Sequence, residues 1–159
     1  MKISEVSIKD INFLFDIHNF YVSKNLFSSR KKVLLRDHLS WFTKNYIKKK
    51  INVIYIARIK KKRVGYVRLE KLKGNIFEVS LALNFDYIGK GHGTKMLKKT
   101  LKIFLKKRNL AIVSKVKKNN HNSLNCFKKN NFFKVKYNSR IFNYVKNHNN
   151  YLFFKYIDN

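Results

Sequence analysis

Proline is absent from this 159-residue chain, cysteine occurs once, glycine five times, and only eight side chains are acidic. Without proline there is no polyproline segment and no stiff linker to divide the chain. The lone Cys126 excludes an internal disulfide, and with it the stapled folds of small secreted proteins. Its place beside Leu124 and Phe127 predicts buried packing. No apolar run approaches the roughly 20 residues of a membrane span. The first ten residues, MKISEVSIKD, lack the apolar core of a signal peptide. No zinc-ligand spacing occurs, so no metal is expected. These absences predict one domain over residues 1–159, in a reducing cytoplasm and without a membrane partner. A hydrophobic content of 45% with 15% aromatics is enough for a packed core and argues against disorder.

The eight acids face 37 lysines and arginines, for a net charge of +29. A balance of that size attracts nucleic acid, anionic lipid or phosphorylated ligands. Nearly all of it is lysine, however. Lys, Asn, Ile, Phe and Tyr, all abundant here, share codons without G or C, so an AT-rich genome gives the same composition with no functional demand. The lysines are dispersed in short runs such as 60–62 and 98–99, as on solvated faces. No helix-turn-helix or RNP-like motif accompanies them, so no specific nucleic-acid partner is expected. A basic nucleic-acid-binding protein without catalysis stays open as the competing class.

The segment ISEVSI (3–8) reads as a first strand. From Asp10, placed as an N-cap, Ile11, Leu14, Phe15 and Ile17 recur at helical spacing. Residues 23–32 are polar and irregular. VLLRDHLSWFTKNYI (33–47) fits a second helix, with Leu35, Leu39, Phe42 and Tyr46 as its apolar stripe. INVIYIARI is rich in β-branched residues; the basic run at 60–63 turns it into VGYVRLEKL, and Gly74-Asn75 turns that into IFEVSLAL. Met96, Leu97, Leu101, Phe104 and Leu105 mark an amphipathic helix. AIVSKV is a strand, NSLNCFKKN a short helix capped near Ser123 or Asn122, and YLFFKYI a closing strand. A further strand fits between Phe132 and Tyr144. This order, β-α-α-β-β-β-α-β-α-β, predicts an α/β fold with about four helices flanking one mixed sheet.

Three of the five glycines, Gly89, Gly91 and Gly93, fall within five residues, between a strand and a helix. Small residues before a helix N-terminus let backbone N–H groups approach a phosphate, and the helix dipole favours negative charge there. The spacing fits neither a P-loop nor the Rossmann fingerprint. A simple tight turn needs only one glycine.

The stretch LALNFDYIGKGHGTKMLKKTL (81–101) resembles the acyl-CoA signature of the GNAT N-acetyltransferases, Arg/Gln-x-x-Gly-x-Gly/Ala. A second block, VKKNNHNSLNCFKKNNF (116–132), resembles the family's later motif, with Asn120 at its asparagine, Phe127 at its tyrosine, and Lys129 and Phe132 at its lysine and phenylalanine. The resemblance implies a single GNAT-like domain with a mixed, mostly antiparallel sheet, and acetyl-CoA as acetyl donor. It implies that the backbone of Leu81, Ala82 and Leu83 pairs with the pantetheine arm. The loop from Ile88 through Gly89, Lys90, Gly91, His92, Gly93 and Thr94 would take the pyrophosphate. Asn120 would bind the arm from the neighbouring strand, and Lys90 and Lys129 would add charge. Four positions depart from the pattern: Ile88 replaces Arg or Gln, Phe85 a common proline, Asn131 a glycine, and Phe127 a tyrosine that protonates the leaving thiolate in many relatives. Phenylalanine cannot, but a thiol of pKa near 8.5 leaves tolerably without an acid. A non-catalytic acyl-CoA binder is the alternative that Phe127 leaves open.

Acetyl transfer needs a neutral amine, a base for its proton and a donor for the developing oxyanion. Glu78, on the strand that leads to the glycines, is the candidate base, with Glu70 as alternative. By family analogy the N–H of Leu81 or Ala82 is the donor. Ser80 shares the face of Glu78. RDHLSWF (36–42) resembles the His-Leu-x-Trp/Phe helix of bacterial nucleotide-sugar N-acetyltransferases, including those acting on UDP-4-amino-4,6-dideoxy sugars. FDIHNF (15–20) resembles that subgroup's Arg-Asn segment, with Asn19 retained and His18 in place of arginine. This implies Trp41 stacking on a sugar or base, His38 hydrogen-bonding or acting as base, and Asn19 and Ser80 as further substrate contacts. The expected reaction is acetylation of a primary amine on a nucleotide-linked amino-deoxy sugar, in surface-glycan biosynthesis. A protein N-terminus, a polyamine or another small amine are the alternatives, and a homodimer is compatible with the family.

Overall fold

Strand-forming runs rich in Ile, Val, Phe and Tyr build a seven-stranded sheet in the computed structural model, which describes residues 1–26, 31–48, 51–106, 109–143, 145 and 148–157. The strands are β1 (Lys2–Glu5), β2 (Val53–Ile59), β3 (Lys62–Lys73), β4 (Ile76–Leu83), β5 (Ala111–Lys117), β6 (Phe132–Val135) and β7 (Tyr151–Tyr156). The helices are α1 (Ile11–Ser23), α2 (Leu35–Phe42), α3 (His92–Phe104), α4 (His121–Lys128) and the single turn α5 (Ser139–Phe142). The sheet order is β1-β2-β3-β4-β5-β7-β6, antiparallel throughout except for the β4–β5 pair. The predicted α/β fold with a mixed, mostly antiparallel sheet is the observed one. Part of the irregular 23–32 segment, residues 27–30, lies outside the described residues.

Alternation along the strands gives each face of the sheet its own core. On one face Phe77, Val79, Ile112 and Phe154 pack under α3 and α4, against Met96, Leu97, Leu101, Phe104, Cys126 and Phe127. On the other, Ile54, Ile56, Tyr66 and Ala82 pack under α1 and α2, against Leu14, Ile17, Phe42 and Tyr46. A smaller cluster of Val113, Phe142, Val145 and Phe153 lies at α5. Each large apolar side chain fully buried in this way contributes about 1.5–3 kcal/mol relative to exposure.

Several local expectations need correction. The first strand stops at Glu5 because Ser7 and Asp10 start a helical turn: Ser7 N–H and Oγ–H both donate to Asp10 Oδ2, at 3.1 and 3.0 Å. Asp10 is buried, and its Oδ1 accepts from Arg58 Nη2 and Arg63 Nε at 2.6 Å each, tying the start of α1 to the β2–β3 hairpin. Burial by itself raises the Asp10 pKa, but the bonds from Arg63, Ser7 and Arg58 outweigh it and hold the carboxyl below its ordinary value. In the second helix, Leu35 and Leu39 are exposed, and the buried positions are His38, Phe42 and Tyr46. The α-helix gives way to a π-turn over Thr43–Lys48, which shifts the face that Tyr46 presents. The cap of α4 is Asn120, not Ser123 or Asn122: its Oδ1 accepts from Ser123 N–H at 3.1 Å. The extra strand expected between Phe132 and Tyr144 is β6, followed by α5.

One glycine outside the cluster has a packing reason invisible in the sequence. A Cβ on Gly65 would run into the Ala82 carbonyl oxygen, so β3 and β4 approach closely only because residue 65 is glycine.

Candidate active site

β4 and β5 lie side by side but pair only at Ile76↔Ala111, Phe77↔Ile112 and Glu78↔Val113 among the described residues. Beyond Glu78 the strands splay, while β4 stays paired to β3 as far as Leu83↔Gly65. Asn84 N–H donates to Val64 O of β3 at 2.8 Å. Leu83 N–H points the opposite way and donates to the Tyr21 hydroxyl at 3.2 Å. Alternation along the strand therefore aims the Leu81 N–H into the splay and turns the Ala82 N–H into the β3 ladder. Of the two expected oxyanion donors, Leu81 is the one with an amide facing the cleft. Ala82 contributes wall.

Two cavities occupy the splay. One, about 330 Å³, runs from Leu81, Ala82 and Leu83 past Ile88, Gly89, Gly91, Gly93 and Thr94 to Lys129. The other, about 260 Å³, is lined by Glu78, Ser80, Arg68, Lys115 and His18, among others. Tyr21, Leu26, Leu81, Asn120 and Ser123 line both, so the cavities share a wall at Leu81.

Gly89 and Gly91 have φ of +79° and +73°, in the left-handed region, and an added Cβ at either meets nothing within 4 Å. They are glycine for backbone conformation, and their open side is the cavity. Gly91 caps α3, so the first amides of that helix, His92, Gly93 and Thr94, have no partner within the helix and carry the positive end of its dipole. This donor set fits a pyrophosphate. Ile88 and Lys129 border the cavity. Lys90 turns back on its own loop, its Nζ donating to Asp86 O at 2.8 Å. His92 packs edge-on against Tyr87, with ring centroids 5.5 Å apart. Asn131, at the family's glycine position, has φ +59°, a conformation that asparagine adopts more readily than most residues. Cys126 is buried, and that burial pushes its thiol up to about 11 against the opposing bond to Thr94, so it packs as a neutral group.

Asn120 lines both cavities while its Oδ1 caps α4. Phe127 is an apolar wall of the Glu78 cavity, set edge-on to Phe132 at 4.9 Å and stacked on Phe154 at 6.3 Å. On the facing side, Glu78 is buried and accepts from Lys115 Nζ at 2.8 and 3.2 Å. Ser80 Oγ accepts from Arg68 Nε at 3.2 Å. Arg68 also lies 3.4 Å from Glu70 Oε2 and 5.9 Å over the Trp41 ring. Glu70 takes a bond from the Tyr46 hydroxyl at 2.9 Å and supports Arg68.

The structure brings Glu78, Ser80, Leu81, the glycine loop, Asn120, Phe127 and Lys129 to the splay. Six expected residues stand outside the walls of these two cavities: Lys90 and His92 of the glycine loop, the alternative base Glu70, and His38, Trp41 and Asn19. His38 is buried beside His18, with ring centroids 6.0 Å apart, and His18 is the histidine that reaches the cavity. Burial, then His18 and Arg68, push His38 down to about 4, so it is neutral and a poor base at physiological pH. Trp41 backs Arg68 and packs on His38 and Tyr46. Asn19 is engaged by the Val33 backbone, donating to its carbonyl at 3.1 Å and accepting from its N–H at 3.0 Å. Sequence reasoning missed Tyr21, His18, Arg68 and Lys115. An arginine at the centre of the apolar run VGYVRLE was the available signal for Arg68.

The profile of the acetyltransferase (GNAT) family matches residues 14–132, and the chain belongs to that family. Its class is therefore acetyl-CoA-dependent N-acetyltransferase. No curated protein matches the chain in sequence. Among solved structures it is similar to a ribosomal-protein-alanine N-acetyltransferase from Brucella melitensis, with 16% identity and a TM-score of 0.81 over 99% of this chain and 100% of that one. It is similar to a spermidine N-acetyltransferase from Vibrio cholerae, with 14% identity and a TM-score of 0.78 over 99% and 95%. It is also similar to yncA from Salmonella typhimurium, solved with its cofactor acetyl-CoA, with 16% identity and a TM-score of 0.78 over 100% and 95%. Among the described residues, no group of three or more His, Cys, Asp or Glu side chains is placed to hold a metal, and no helix is long and apolar enough to cross a membrane.

Proposed function

We propose that this protein acetylates the primary amine of a nucleotide-linked amino-deoxy sugar, in the cytoplasm, with acetyl-CoA as donor. The observation that carries the reading is the junction at Leu81, where the glycine-lined cavity meets the one that holds Glu78. The resemblance of the α2 segment to nucleotide-sugar enzymes supports the choice of acceptor, since its Trp41 backs the Arg68 of the acceptor-side wall.

Bound acetyl-CoA supplies an activated acetyl group as a thioester. The chain's residues do the rest. Amides at the start of α3 and in the glycine loop hold the pyrophosphate. The Leu81 N–H donates to the carbonyl oxygen as it gains negative charge. Glu78, oriented by Lys115, accepts the proton that the amine loses as its nitrogen bonds to the acetyl carbon. The carbon–sulfur bond breaks, and the sulfur departs with the bonding electrons and takes up a proton. Tyr21 stands in the wall common to both cavities; burial raises its pKa against the opposing Leu83 bond, so it stays a neutral phenol able to donate there. That places a hydroxyl in the region where Phe127 offers none.

Purified protein mixed with acetyl-CoA and a UDP-4-amino-4,6-dideoxy sugar is expected to release free thiol in step with acceptor. Glu78→Gln is expected to lower kcat at least tenfold with CoA binding retained. Absence of release above background across UDP- and dTDP-linked amino sugars, from protein that binds CoA, overturns the sugar assignment. Faster release with a ribosomal-protein N-terminal peptide or with spermidine moves the acceptor to the classes named for two of the similar structures.

A further inference from the structure

The Leu83 amide faces the glycine-lined cavity, yet a side chain from another element already holds it. Alternation along β4 turns the N–H groups of Leu81 and Leu83 towards the splay, and both residues line that cavity. A ligand arm that runs from a pyrophosphate on the glycine loop to a thioester at Leu81 passes Leu83, which lies between the two along the backbone. The Leu83 N–H, however, donates to the Tyr21 hydroxyl at 3.2 Å. Tyr21 reaches it from the last turn of α1 and lines the Glu78 cavity as well.

The backbone that carries Tyr21 is anchored. Val22, the next residue, is buried, and Tyr21 O accepts from Leu26 N–H at 3.0 Å. Asn25, just past α1, has φ +53°, and its carbonyl and side-chain oxygens accept from Lys117 Nζ at 2.8 and 2.9 Å. The end of α1 is thus tied to β4 through Tyr21 and to β5 through Asn25, across the splay between them. With the helix held, room for a ligand at Leu83 comes from rotating the phenol, and the second cavity that Tyr21 borders receives it. The arm of coenzyme A carries amide carbonyls that accept from Leu83 in place of the phenol, so the N–H is satisfied in either state. We propose that Tyr21 is a two-position gate between the cavities: its hydroxyl holds the Leu83 amide in the empty protein, and the arm of acetyl-CoA takes that amide and turns the phenol into the Glu78 cavity. The acceptor side is then completed only once the donor is seated. The proposal rests on the glycine-lined cavity being the coenzyme A site, and not on the identity of the acceptor.

The test compares the full wild-type chain with Tyr21→Phe, which removes the hydroxyl and keeps the ring. Calorimetry is run with coenzyme A and with ADP, which has the pyrophosphate but no arm. Tyr21→Phe is expected to bind coenzyme A roughly three- to tenfold more tightly, as one competing neutral hydrogen bond is lost, and ADP with unchanged affinity. Exchange of the Leu83 amide, followed by NMR, is the second readout. In the empty variant that amide is expected to exchange roughly tenfold faster or more than in the empty wild type. Coenzyme A should restore its protection, and ADP should not. With any acceptor that turns over, Tyr21→Phe should lower both kcat and the KM for acetyl-CoA, a pairing that general loss of structure does not give. If the variant loses its cooperative melt, wild type decides: the ring signals of Tyr21 should move on adding coenzyme A and stay in place with ADP. Unchanged or weaker coenzyme A binding by folded Tyr21→Phe, a Leu83 amide equally protected without the hydroxyl, or Tyr21 signals unmoved by bound coenzyme A overturns the gate. Wild type that does not bind coenzyme A overturns the donor site and the gate together. Binding and exchange as expected, with no acceptor turned over, overturn the transfer reading and support the gate.

Discussion

At His38, burial and the neighbouring His18 and Arg68 all act in one direction and push the imidazole down to about 4, from an ordinary value of 6.5. The unfolded chain takes up this proton below about pH 6.5 and the folded chain only near pH 4. The folded state's advantage is therefore complete above pH 6.5 and falls as the pH drops between those values. A shift of that size corresponds to about 3 kcal/mol across the window. Urea unfolding at a series of pH values should show this decline, and His38→Gln should flatten it; an unchanged slope would show that other groups carry the acid sensitivity. The same residue shows how far sequence reading reaches. HLSWF identified a helix with a histidine and an indole on it, but not that His18 would stand between that histidine and the cavity. Asn19 makes the same point: the side-chain amide that reads as a substrate contact is engaged by the Val33 backbone, a partner 14 positions along the chain.

Elements were legible wherever the apolar period was long and unbroken. β2, β3, β4 and α3 fall close to where the apolar pattern puts them, because the three strands feed a core on each face of the sheet and α3 covers one of those cores. Reading failed where a side chain replaced the periodic signal: the Ser7–Asp10 bonds that cut β1 short, the π-turn after α2, and Asn120 as cap. The β2–β3 turn is a further case. Lys60 and Lys61 both have positive φ, +45° and +68°, in a two-residue hairpin that ordinarily selects Asn-Gly. Each left-handed lysine costs roughly 1–2 kcal/mol. Replacing the pair with Asn-Gly should raise the urea midpoint by an amount equivalent to about 1 kcal/mol or more, with acetyl transfer unchanged, since neither lysine lines the cavities. A lower midpoint would mean that the two lysines stabilise the turn in ways their backbone angles do not show.

For the molecule as a whole, a charge of +29 on 159 residues makes self-repulsion a standing term in stability. Salt screens it over a Debye length of about 10 Å at 0.1 M. Raising KCl from 20 to 300 mM should therefore increase the melting temperature, by about 2–4 °C for each kcal/mol recovered. A fall would show that attractive ion pairs, such as Asp10 with Arg58 and Arg63, outweigh the repulsion.

The sequence by itself determined the alternation of strands and helices, the position of the glycine loop before α3, and the two blocks that resemble a coenzyme A site. These are local patterns, and a chain short of glycine and free of proline records them clearly. Tertiary structure alone decided which of the 37 basic and eight acidic side chains share a wall. That depends on β4 and β5 parting after Glu78, on Arg68 and Lys115 converging on the gap from two different strands, and on α1 bringing Tyr21 and His18 to its edge. Contacts between residues so far apart in the chain follow from packing and strand register, which no local spacing encodes.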